Sequence, residues 1–100
     1  MEMENYMIIS EKPRLTKVKN RSTKFKMLKR HAQKQKSKII KHLKKHGLMD
    51  SVEHIGSPTV FNMLAITCDP NIIDEIKRIP NVKDIIVDVE IEVELNHDTT

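Results

Sequence analysis

Apolar positions recur along this chain at two spacings, and the switches between them mark out six elements. Asn5 to Ser10, with Tyr-Met-Ile-Ile at its centre, reads as a short strand. Lys12-Pro13-Arg14 ends it, because Pro13 has no amide proton to give a ladder. Phe25, Leu28, Ala32, Ile39 and Leu43 then recur at intervals of three, four and seven, the apolar stripe of a long helix. Ser22 or Thr23 is placed to cap that helix, and Gly47 to end it in the left-handed conformation. Ser51 to Ile55 alternates imperfectly and reads as a weak strand, followed by turn chemistry at Gly56-Ser57-Pro58. Val60 to Cys68 is β-rich and nearly free of polar residues, as a central strand is. Asp69 and Pro70 open a second helix, with Ile72, Ile73, Ile76 and Ile79 as its apolar face and Pro80-Asn81 as its stop. From Val82 to Leu95 a last strand follows, in which Val87, Val89, Ile91, Val93 and Leu95 alternate with Asp88, Glu90, Glu92 and Glu94.

The order strand, helix, strand, strand, helix, strand predicts an α+β domain of ferredoxin-like βαββαβ topology. Its four strands form one antiparallel sheet, and both helices cover one face. The other face is then bare, and bare apolar surface in a chain this small is a docking surface. One hundred residues make one domain spanning 1–100, with flexible ends at 1–4 and 96–100 and a basic loop at 12–22. A chain of this length buries only about two-thirds of its unfolded surface, so a deep, dry catalytic cavity is not expected.

Charge divides the chain in two. Lys12 to His46 carries 15 Lys or Arg and no acid, whereas Gly47 to Thr100 carries 3 basic and 11 acidic residues. The first block suits an anionic surface and the second a cationic one. The lone cysteine, Cys68, excludes an intramolecular disulfide and reads as a small buried strand residue. No apolar run approaches a membrane helix, and Met1 to Ile9 is too short for a secretory signal. The compartment stays open: export together with a protease if a signal precedes this segment, the cytoplasm otherwise.

Candidate chemistry is thin. A lysine-rich helix binds phosphates or simply keeps a domain soluble, and the topology is shared with a common RNA-binding fold. That fold stacks bases on sheet aromatics, and here only Tyr6 and Phe61 are offered. His31, His42 and His46 fall within about 60° on a helical wheel, and His42 and His46 stand at i and i+4. No carboxylate on the helix completes a zinc motif and the flanking lysines repel a dication, so no metal and no cofactor are expected. With Gly47 and Gly56 as the only glycines there is no phosphate loop, and no catalytic constellation is recognisable. The expectation is a non-enzyme.

The second half carries a likeness. Asn62-Met63-Leu64-Ala65-Ile66, then Ile72 to Ile76, then Ile79-Pro80-Asn81-Val82-Lys83-Asp84-Ile85 and Asp88 resemble the propeptide domain of subtilisin-like serine proteases, the inhibitor-I9 family. His31 to Leu43, with Gln33, Gln35 and Lys36, resembles the matching helix. The resemblance implies an intramolecular chaperone and inhibitor that docks its sheet on a subtilisin-like catalytic domain, monomeric when free. It implies that Ile91, Glu92, Val93, Glu94 and Leu95 enter the protease cleft, and that Asp88 and Glu90 cap protease helices. Ile86 stands where the family has a second capping acid. Ile55, Phe61 and Met63 are the candidates for the sheet docking face. The alternative is a nucleic-acid-binding domain using the basic first helix. A third reading is a ligand-sensing regulatory domain, which would need a dimer interface.

Overall fold

A computed structural model describes residues 2–15, 17 and 19–87. The strands are β1 (Glu4–Ser10), β2 (Val52–Ile55), β3 (Met63–Cys68) and β4 (Val82–Val87); the helices are α1 (Arg21–Lys45) and α2 (Ile73–Lys77). All strand pairs are antiparallel and the spatial order is β2-β3-β1-β4, the order of a ferredoxin-like sheet. The fold is the α+β arrangement that the element order predicts.

Period-two alternation sets the two faces. Tyr6, Ile8 and Ser10 of β1 are buried on one side, as are Leu64, Ile66 and Cys68 of β3. Ile39 and Leu43 of α1 and Ile72, Ile76 and Ile79 around α2 meet them in a single core cluster, so both helices lie on that face. Val52, Ile55, Val82 and Ile85 close its margins. Gln35 is buried as well, and its Nε2 donates to the Pro80 carbonyl at 3.1 Å, tying α1 to the turn before β4. Every buried side-chain polar atom among the described residues has a partner.

Several boundaries differ from the sequence expectation. The α1 cap is Asn20, not Ser22 or Thr23: its Oδ1 accepts from the Ser22 amide at 2.8 Å and the Thr23 amide at 3.3 Å. An asparagine two residues ahead of the serine and three ahead of the threonine captures their own amides, a contact worth about 1 kcal/mol. Gly47 does take the left-handed conformation, at φ 67°. β3 begins at Met63, not Val60, because Thr59 Oγ1 accepts from the amides of Phe61 and Met63 and Asn62 turns to φ 60°. Phe61 therefore sits in a turn, not on a strand. Asp69 caps the second helical segment as expected, accepting from the Asn71 amide at 2.9 Å. That segment opens as a 3-10 turn over Pro70–Ile72 before α2.

α1 is longer than the sheet is tall. Its 25 residues extend about 37 Å, whereas the 7 residues of β1 extend about 23 Å. Its buried residues start only at Ala32, and Phe25, expected in the core, is 52% exposed. The stripe is present, but its first turns overhang the sheet and contribute no residue to the core cluster; Pro13 and Leu15 of the segment after β1 border Met27 and His31 instead. No helix among the described residues is long and apolar enough to cross a membrane.

Candidate protein-docking site

The face of the sheet away from the helices is built by the residues that alternate with the core. On β1 these are Asn5, Met7 and Ile9, on β3 Met63, Ala65 and Thr67. Register places Met7 between Ala65 and Ile86, and Ile9 between Met63 and Asp84. Opposed residues on antiparallel strands share a face, so Met7, Ile9, Met63, Ala65 and Ile86 form one apolar patch, bordered by Asp84 on β4 and by Asn5 and Thr67 at one end. Ile86 is 44% exposed, and Met7, Ile9, Met63 and Ala65 are half-buried.

The patch has a direction. At one end Thr67 Oγ1 donates to Asn5 Oδ1 at 2.6 Å, with His54 opposite Thr67, which makes a polar margin. At the other end the surface dips into an open groove of about 670 Å³, with Ile9, Met63 and Phe61 as its apolar lining and Lys12, Arg14 and Lys83 as its basic rim. Phe61 is 61% exposed, and Lys12 Nζ stands 5.4 Å from its ring centroid, a cation–π contact. The Asn62 turn is held against the exit of β1: the Ser10 amide donates to the Asn62 carbonyl at 3.0 Å, and Asn62 Nδ2 donates to the Glu11 carbonyl. His31 Nε2 reaches the same carbonyl at 3.2 Å, so the basic segment after β1 is anchored where it begins.

β4 is an edge strand and carries an irregularity. Ser10 opposes Val82 and Ile9 opposes Asp84, so Lys83 is the extra residue of a bulge. The bulge lets Val82 and Ile85 both face the core and leaves Ile86 on the open side.

Of the three residues expected on the docking face, Met63 lies on it and Phe61 borders it from its turn. Ile55 does not: it opposes Ile66 and packs on the helix-side core. Its phase is set by the irregular β2–β3 register between Val52 and His54, which puts His54 outward instead. Asp88, Glu90, Ile91, Glu92, Val93, Glu94 and Leu95 lie outside the described residues. Sequence reasoning missed Met7, Ile9, Ala65 and Ile86. The signal was present in β1, where apolar residues occupy both phases of the alternation.

Neither nucleophilic candidate on the covered face is activated. Burial, with Asp69 next, pushes the Cys68 thiol up to about 11. Burial and then the hydrogen bond to Glu4 Oε2, at 2.8 Å, push the Tyr6 phenol up to about 12. Both stay protonated at neutral pH.

Fold and site together define a small ferredoxin-like domain whose sheet is covered on one side and apolar on the other. The chain matches the family model described as PopD over residues 1–85, and it belongs to the PopD family. No curated protein and no solved structure matches it. The family match corrects the likeness to the inhibitor-I9 propeptides, which is not the family found. The physical reason lies in which residues carried that likeness. Leu64, Ile66, Ile72, Ile76 and Ile79 are core positions, and any sequence of this topology fills such positions with similar residues.

Proposed function

We propose that this chain is a non-catalytic binding domain that engages another protein through the open face of its sheet, and that the partner is a serine protease of the subtilisin class, which it inhibits. The observation that carries the reading is the continuous patch of Met7, Ile9, Met63, Ala65 and Ile86, apolar yet covered by no part of the described chain. A helix-bearing surface fits such a face, because a flat sheet buries apolar side chains against it without breaking backbone pairing. The acidic, alternating residues 88–95 follow directly from edge strand β4. An extended segment of that pattern can add as a strand to a protease cleft, where backbone bonds supply affinity and no catalytic group is needed from the inhibitor. A domain that binds only the folded protease also favours its folding by mass action.

The nucleic-acid reading has less support. Tyr6 is buried beneath the helices and Phe61 sits in a turn, so no described strand offers an aromatic on the open face. The basic surface of α1 remains, and salt separates the two readings. Inhibition of a subtilisin by the full chain is expected at micromolar concentration or better, weakened at least tenfold by Ile86→Asp and by truncation after Val89. No inhibition of any subtilisin-class protease would overturn the protease assignment. Binding of an oligonucleotide that falls steeply with salt and with Lys→Glu changes at Lys34, Lys38 and Lys41 would put nucleic acid in its place.

A further inference from the structure

The covered side of the domain brings together three metal-ligating side chains that the docking reading does not use. His42 and His46 stand one turn apart at the C-terminal end of α1, with ring centroids 4.3 Å apart. Glu75 comes from α2 and places Oε1 3.1 Å from His42 Nε2. One donor atom from each of the three lies within 4.8 Å of the others. We propose that His42, His46 and Glu75 bind a divalent transition metal, zinc above all, which staples the end of α1 to α2.

The geometry is close to what zinc requires. Zinc bonds of 2.0–2.1 Å to nitrogen and oxygen put tetrahedral donors about 3.3 Å apart. His42 and Glu75 are already near that separation. Only His46 has to move, by about an ångström or two, and it is exposed. Two imidazoles and one carboxylate select zinc, nickel or copper over calcium and magnesium, which take oxygen ligands. A water molecule completes the fourth position on the solvent side.

Two further features favour a cation here. The C-terminal end of a helix carries partial negative charge, which offsets a part of the charge of Lys44 and Lys45 in the last turn. Arg78 Nη1 approaches Glu75 Oε2 at 3.5 Å, so one carboxylate oxygen is oriented from behind while Oε1 faces the histidines, as outer partners of metal ligands do.

The test is thermal unfolding and isothermal titration of the untagged full chain with zinc chloride, beside His46→Ala and Glu75→Gln. Expected is one zinc per chain, with a melting temperature raised by about 10 °C at a hundredfold excess over Kd and restored by EDTA. Both variants should lose at least ten-fold in zinc affinity. His46 is exposed, so its variant folds, which circular dichroism checks. No zinc-dependent shift in the wild type, or an equal shift in both variants, overturns the site. Inhibition of a protease through the opposite face is independent of this readout, so the two proposals fail separately.

Discussion

The two faces of this sheet are built from the same strands, and neighbouring residues on one strand have different fates. On β1, Ile8 is fully buried beneath α1 and α2, while Met7 and Ile9 point the other way into a patch that no described residue covers. The open face is apolar at its centre as the covered face is, though Asn5, His54, Thr67 and Asp84 border it; what separates the two centres is the presence of helices. Apolar character alone therefore does not say which residues hold the fold together and which await a partner. Topology does, because both crossover helices fall on one side.

Substitution on the covered face has the largest expected effect. Ile8→Ala should cost about 2–5 kcal/mol in denaturant unfolding, a large part of what a domain this size has. A loss below 1 kcal/mol would mean that the site collapses around the smaller residue.

Alkaline pH probes the same face without mutation. Cys68 and Tyr6 have folded pKa values above their ordinary 9.0 and 10.0, so the folded state holds their protons more tightly than the unfolded chain. Stability is then complete below about pH 9 and falls as pH rises towards 11 and 12. Cys68→Ala should flatten the part of the decline between pH 9 and 11. An unchanged profile in that variant would break the assignment.

Gln35→Ala leaves the Pro80 carbonyl without its donor and should cost about 1–3 kcal/mol. On the open face the effect reverses: Ile86→Asp should change stability by no more than about 0.5 kcal/mol while weakening partner binding at least tenfold. If Ile86→Asp unfolds the protein, the distinction between the faces fails.

Much of this architecture was legible from pattern alone. The six elements and their order follow from periodicity and from turn residues such as Gly47 and the Asp69-Pro70 pair. What escaped lies where tertiary or capping contacts compete with pattern. Thr59 and Asn62 fold the predicted start of β3 into a turn and carry Phe61 with it. The irregular β2–β3 register moved Ile55 to the core side. Glu75 joins the histidine pair from 33 residues beyond His42, a distance at which spacing carries no signal.

The overhang of α1 has a consequence for how the molecule opens. Its first turns, through His31, bury no residue, so unwinding them sacrifices helical hydrogen bonds and the His31 contact with the Glu11 carbonyl, and none of the core. This end of the rod is therefore expected to melt and reform while the remainder stays native. Amide hydrogens from Lys24 to Arg30 should trade with solvent deuterium orders of magnitude sooner than those from Ile39 to Leu43. Unfolding thus has a built-in starting point, positioned by the mismatch between a long helix and short strands.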